Sequence, residues 1–507
     1  MPNISDYIFT FSGHGLGENI NTTAGDTDGR GNIQTVIGSS IGDFITLDCH
    51  AKFLTFKDLT DVGQSIHVLD VISPPGREPN GLITGVRNYG LLYEWSTDGL
   101  GYKRKSQTHH LGGEILDMAS SDINHDGVEE VVFTTKEAGI QIYKKDNSAL
   151  SKIWERKPRS LARASIGDID GDGRKEIVVL DIKEQLPFNL SVLKYRERDA
   201  ALEFESQLTQ RISGPILTAD IDNDGRAEII MSGPGERRFF VYKVLNRKLV
   251  RQFASSTLRE PIVGFGAGDV DGDGKVELVV ATSSEILIFR WNGSTYILTQ
   301  KIGAPRRIRK IIVQDINFDG VAEIIIVTIE GRFFIISPRK SAQSQFLVRE
   351  DVEIPKRLPP AKKVIRVEVE NTQVTRVDSF SSGILVQGKF IVQILYSSEP
   401  ESRVISFSTH IPFSTIVRTP DIYGNIGHKN IDVKVESTSF HFTPNTRRIT
   451  VIIIAQITVF NYTLPSKMRI NDLASQYRME QRLLMEINDL KKDQILDTGN
   501  KIFIPNI

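Results

Sequence analysis

Five nine-residue segments carry the same oxygen-bearing side chains in one register. Position 1 is Asp122, Asp168, Asp220, Asp269 or Asp315, and position 3 is Asn124, Asp170, Asp222, Asp271 or Asn317. Position 5 is Asp126, Asp172, Asp224, Asp273 or Asp319, and position 9 is Glu130, Glu176, Glu228, Glu277 or Glu323. Calcium takes about six to eight hard oxygens, and alternate residues of a tight turn can present them inward. Position 7, held by Val128, Arg174, Arg226, Lys275 and Val321, would add a backbone carbonyl whatever its side chain. Glycine at position 6 permits a sharp turn that a Cβ would hinder. A helix–loop–helix calcium hand needs a bidentate Glu at position 12. Here that position is Phe133, Val179, Met231, Val280 or Ile326, so the hand is excluded. Asp and Gly favour turns without any metal. Five copies, each clustering three or four carboxylates, nevertheless call for a cation to offset the repulsion. The expectation is about five calcium sites, filled only at roughly 10⁻⁴–10⁻³ M. They should be tighter where position 3 is Asp than at Asn124 and Asn317, which carry one charge less.

What positions these loops is a repeat. Their starts lie 46, 52, 49 and 46 residues apart, and each loop runs into a β-branched apolar stretch. Such stretches read as strands buried on both faces. Asp26 to Gln34 resembles a decayed copy, keeping Asp26, Asp28 and Gly31, and a vaguer one begins near Asp70. Seven units over residues 1–338, with a period in the forties and several short strands each, predict a seven-bladed β-propeller. On these residues, and on Gly264-Phe265-Gly266-Ala267-Gly268, the region is similar to FG-GAP/VCBS-repeat propellers. That resemblance implies calcium stiffening the blade loops and a ligand bound elsewhere.

The rest of the chain changes character. Residues 339–344 are polar and read as a linker. Ile384, Val386, Gly388, Phe390, Val392, Ile394 and Tyr396 then alternate on one face, as do Ile431, Val433 and Val435, whereas Ile449–Val459 is apolar on both. Residues 345–460 therefore read as an all-β, sandwich-like domain. With Val364–Glu368, Ile411-Pro412-Phe413 and Arg448–Phe460, this region resembles the SPOCS domain of bacterial spore-coat proteins. Residues 461–507 show a β-α-α-β order. Through Tyr462-Thr463-Leu464, Leu473–Tyr477, Asn488, Gly499 and Ile504-Pro505 they resemble a LysM module, which implies binding of N-acetylated glycans such as peptidoglycan. The turn that helps to form the sugar groove in that family is replaced here by Lys467-Met468-Arg469, which argues for a protein-docking module instead.

Bulk properties narrow the field. The 507 residues hold 62 Lys plus Arg against 63 Asp plus Glu, so net charge gives no reason to expect nucleic acid. Cys49 is alone, which excludes an intrachain disulfide and fits a reducing compartment. Met1–Asp6 lacks the basic and apolar regions of a signal peptide, and no apolar run reaches the ~20 residues of a spanning helix. No catalytic constellation emerges. Gly38–Gly42 fits G-x-S-x-G, but a strand follows it rather than a helix, as for a turn between blades. Gly13–Gly17 lacks dinucleotide spacing, and His109-His110 lacks a third ligand at a zinc spacing. Arg306–Lys310 reads as a solvated strand edge. The expected function is a non-enzymatic structural protein of a bacterial spore envelope, made in the mother-cell cytoplasm, with other envelope proteins as partners. The alternative is a cell-wall-associated or surface adhesin gripping glycan or protein through the propeller.

Overall fold

The computed structural model describes residues 8–504, apart from 19, 51–52, 73–79, 97, 99–100, 138, 157–160, 183–187, 197–198, 209–211, 213, 233–236, 305–306, 339–341, 381–382, 399–402, 418–429, 445, 478 and 493. The chain start, linker residues 339–341, Arg306 and Pro505 therefore lie outside the described residues. The fold is mainly β, and it divides into two compact units, 17–331 and 8–16 with 332–504.

In the first unit, consecutive strands form six four-stranded antiparallel sheets, spanning 21–61, 68–107, 115–156, 161–208, 216–254 and 262–303. The antiparallel pair Ile308–Gln314 and Glu323–Thr328 follows. The first strands of successive sheets are neighbours, and Asn21–Gly25 neighbours both Val68–Ile72 and Ile308–Gln314. The apolar stretches are the second strands. Glu130–Thr135, Glu277–Thr282 and Glu323–Thr328 are buried along their whole length, as runs without alternation require. Gly266 and Gly268 let the next first strand approach, since a Cβ there would meet Val313 at 2.4 and 2.8 Å.

Asp70 departs from its expected place. It lies inside the first strand Val68–Ile72, not at the start of a loop, and accepts hydrogen bonds from Ser120 N and Oγ, both at 2.8 Å. Its loop, 73–79, is among the residues not described. Gly38–Gly42 is a hairpin within the first sheet rather than a turn between sheets, because Gln34–Gly38 pairs directly with Asp43–His50.

The second unit takes in more chain than the sequence boundaries suggest. Ile8–His14 pairs antiparallel with Phe333–Ser337 and parallel with Gln343–Glu353, so both ends of the expected 1–338 domain belong here. Gln343–Glu353 continues to Arg448–Val459 and then Ile431–Phe442. A second sheet, Ala361–Phe380, Gly383–Ser398 and Val404–Val417, shares one apolar core with it. The expected alternation holds: Ile384, Val386, Phe390, Val392, Ile394 and Tyr396 are all fully buried. Gly388 is required at its place because the Phe413 ring of the facing strand lies over it, 2.4 Å from where a Cβ would sit.

The described part of the polar linker is core. Ala342 is 1% exposed, its N–H donates to Ile487 O at 2.8 Å, and Ser344 is buried within a strand. The C-terminal segment has two short helices, Ile470–Gln476 and Gln481–Asn488, around a small core of Leu464, Leu473, Leu484 and Ile502. It does not stand apart from the sandwich, because Ile487 and Phe503 are members of the larger core. Within the segment, the Asn488 side chain donates to Phe503 O at 2.8 Å and accepts from Phe503 N at 2.7 Å, tying the second helix to the final stretch that carries Phe503.

Candidate metal centres

The five loops connect first to second strands, and their side chains divide the work in a constant way. Position 1 holds the turn. Asp168 accepts from Gly171 N at 2.7 Å and, through its other oxygen, from Gly173 N at 2.8 Å. The position-6 glycine N–H reaches the same acceptor in the other loops, at 2.8 Å for Asp122, Asp220 and Asp315 and 2.7 Å for Asp269. Those glycines sit at φ 84–86°, in the left-handed region where a Cβ is unfavourable. Position 9 braces the entry: Glu130, Glu176, Glu228, Glu277 and Glu323 accept from the position-2 N–H at 3.1, 3.1, 2.9, 3.1 and 3.2 Å. Position 5 accepts from position 7 through one oxygen, as in Arg174 N to Asp172 at 2.9 Å. Position 7 is therefore seen as a donor; the sequence suggested only its carbonyl.

The remaining oxygens converge, and in three loops they converge on a cation from the protein itself. Lys194 Nζ donates to Asp170 at 2.8 Å and Asp172 at 2.6 Å and lies 2.9 Å from Glu176. Lys243 Nζ donates to Asp222 at 2.6 Å and to Asp224, and lies 3.1 Å from Glu228. Arg290 pairs with Asp271, with Asp273 at 3.0 Å and with Glu277 at 3.1 Å. Each basic residue comes from the third strand of the same sheet, one step along from pairs such as Ile177–Leu193, and so faces the position-9 Glu. The distance in sequence from that Glu to its basic partner varies, 18, 15 and 13 residues, so the correspondence comes from strand register and not from a fixed spacing.

The loops with Asn at position 3 differ. Asn317 Nδ2 donates to Glu323 at 2.7 Å, and Asn124 Nδ2 donates to Glu130 at 3.0 Å. Lys144 also reaches Asp126, with Glu130 more distant at 3.9 Å. Among the described residues neither Asp315 nor Glu323 pairs with Lys or Arg. Burial pushes all five position-9 carboxyls up to about 7. Burial would lower Lys194, but its bonds to Asp170, Asp172 and Glu176 outweigh that and hold its ammonium above the ordinary lysine value.

The fit to calcium therefore varies. Among the described residues, three acid ligand atoms come within 4.8 Å of one another at Asp168, Asp170 and Glu176, at Asp220, Asp222 and Glu228, and at Asp269, Asp271 and Asp273. At the Asp315 loop the hard oxygens of Asp315, Asn317, Asp319 and Glu323 accept from N–H groups of the loop itself, and their second lone pairs are what a calcium ion would use. Calcium at the loops beginning at Asp168, Asp220 and Asp269 would need the point already held by an ammonium or guanidinium. The decayed copy keeps the turn with fewer acids: Asp26 accepts from Gly29 N at 2.8 Å and Gly31 N at 2.9 Å, and Gln34 replaces Glu in accepting from Thr27 N at 2.7 Å.

The other residues singled out by sequence are structural. His110 sits in a turn, accepting from Gly112 N at 3.0 Å, with its second ring nitrogen 3.0 Å from Asn88 Nδ2. Lys310 is not on a solvated edge. It lies on the first strand Ile308–Gln314, donates to Thr22 O at 3.0 Å and faces the charges of Asp70 and Asp117.

Comparison with known proteins bears on both units. Residues 269–326 match the family described as FG-GAP-like repeat. Residues 360–443 match the family described as SipL, SPOCS domain. No curated protein matches the chain. Solved structures similar to it include BBS1N in complex with ARL6DN, at 12% identity over 66% of this chain and 98% of that one, TM-score 0.48. Saccharomyces cerevisiae Sqt1 is 11% identical over 66% and 99%, TM-score 0.43. The Myceliophteria thermophila Cps50 (Swd1) β-propeller domain is 13% identical over 63% and 96%, TM-score 0.45.

Proposed function

We propose that the chain is a non-enzymatic interaction scaffold of a bacterial spore envelope. One observation carries this reading: a SPOCS match at 360–443 follows an FG-GAP-like match in the same chain. The first unit is read as a seven-bladed propeller, six four-stranded sheets plus a blade that includes Ile308–Gln314 and Glu323–Thr328. It is the platform for protein partners. The C-terminal segment is read as a LysM-like module that docks on protein rather than peptidoglycan. The loops that in a glycan binder would flank a groove are here bridged by a short ladder, Met468–Leu496 and Arg469–Ile495, and by Lys467 with Asp497 at 3.0 Å. Calcium is proposed for the Asp315 loop. The protein would be made in the mother-cell cytoplasm and end in the envelope. Among the described residues no helix is long and apolar enough to cross a membrane.

Imaging a fluorescently tagged full chain through sporulation tests the reading. A ring around the forespore is the expected result. Even distribution over vegetative cell walls would favour the adhesin and overturn the spore assignment.

A further inference from the structure

The loops beginning at Asp168, Asp220 and Asp269 carry a carboxylate at each of positions 1, 3, 5 and 9, one more at those positions than the two loops with Asn at position 3. By charge alone they should hold calcium most tightly. Their geometry points the other way. In the Asp168 loop both oxygens of Asp168 hold backbone N–H groups, and Glu176 and Asp172 each commit one oxygen to the backbone. The oxygens that hold no backbone N–H are one each from Asp170, Asp172 and Glu176, and all three lie within 2.9 Å of Lys194 Nζ. Lys194 donates hydrogen bonds to Asp170 and Asp172 and forms an ion pair with Glu176, so one ammonium faces all three carboxylates. Lys243 repeats the arrangement with Asp222, Asp224 and Glu228, and Arg290 with Asp271, Asp273 and Glu277.

We propose that Lys194, Lys243 and Arg290 are the resident cations of these three loops, so that calcium is not their ligand. Two further observations lead to the same place. Where position 3 is Asn, the amide supplies a donor to the position-9 Glu, and the need for a cation falls as the charge falls. The Asp26 loop keeps the same turn with Arg30 at position 5 and Gln34 at position 9, so the backbone conformation does not depend on a complete calcium ligand set. Lys57 also enters that loop, 2.6 Å from Asp28. The order of affinity expected from charge is thereby reversed: any calcium response belongs to the Asn-bearing loops. The first unit is then rigid as synthesised, without waiting for a calcium-rich surrounding. This inference is independent of where the protein resides.

Calorimetric titration of calcium into the chelator-treated full chain tests it. Two sites or fewer are expected, because resident cations hold three of the five loops. Three or more sites would overturn the proposal, since at least one resident cation would have been displaced. Lys194→Met should add one calcium site and make the thermal midpoint calcium-dependent, whereas Lys194→Arg should leave both as in the parent. A Lys194→Met protein with an unchanged site count would also overturn it. Should that variant fail to fold, the count for the unmodified chain decides.

Discussion

Both units bury apolar residues, in several clusters between the sheets of the first and in one core across the sandwich of the second. The first adds a polar device repeated along the chain, in which carboxylates grip backbone N–H groups and, in three loops, a basic side chain collects the spare oxygens. The second relies on one apolar core in which Phe346, Phe390 and Phe413 stack, with ring centroids 4.8 Å apart for Phe390 and Phe413. Polar staples are directional and local, so each fixes one turn. Apolar burial is non-directional and cooperative, so one cavity weakens the whole sandwich. The difference sets the size of response expected from each unit.

The largest effect should come from the sandwich. Phe390→Ala removes a fully buried ring between two others and should cost about 3–5 kcal/mol. Denaturant unfolding should show the same loss in chelator and in calcium. A loss that calcium relieved would mean that the apolar unit, too, depends on a cation.

Asp168→Ala should cost about 2 kcal/mol, because two backbone N–H groups lose a charged acceptor at 2.7 and 2.8 Å. This loss should persist in calcium, since position 1 acts on the turn itself. Recovery by calcium would show that Asp168 matters mainly as a ligand, and would break the distinction between turn-holding and cation-holding acids.

The two units also differed in how far sequence could reach. The loops were legible because five copies in one register expose what each position does. Even so, the basic residue was missed: Lys194, Lys243 and Arg290 lie 18, 15 and 13 residues past their position-9 Glu, beyond the motif, and only strand pairing brings them back. In the second unit the faces of Gly383–Ser398 followed directly from alternation. Its boundaries did not. Ile8–His14 joins it through pairing with strands more than 300 residues away, a relation with no local signature. The described end of the expected 339–344 linker differs from a linker because Ser344 is polar in type but buried by its place in a strand.

Proton linkage separates the units again. Burial, followed by the nearby Arg332 charge, lowers His14 from 6.5 to about 3, and its Nε2 has no hydrogen-bond partner. The unfolded chain then binds a proton more readily than the folded one between those values. Stability is thus intact above about pH 6.5 and falls as pH drops below it, by about 1–2 kcal/mol at pH 5. His14→Asn should remove this slope from the second-unit transition. A slope unchanged in that variant would place its source elsewhere.

The smallest effect is the most discriminating. Asn317→Asp gives the Asp315 loop the four carboxylates of the Asp168 loop but takes away the amide that donates to Glu323. Among the described residues no lysine or arginine pairs with Glu323 to replace it. In chelator the change should cost about 0.5–1 kcal/mol, within the range of partly exposed charge interactions. In calcium the added carboxylate becomes a ligand, and the same variant should be as stable as the parent or more so. Asp170→Asn, the reverse change in the Asp168 loop, should show no such reversal, because Lys194 remains between the oxygens whatever the solution holds. Thermal midpoints of the two variants, each with and without calcium, give four numbers. If Asp170→Asn proved as calcium-sensitive as Asn317→Asp, the loops would be equivalent metal sites and their difference in built-in charge would have no consequence.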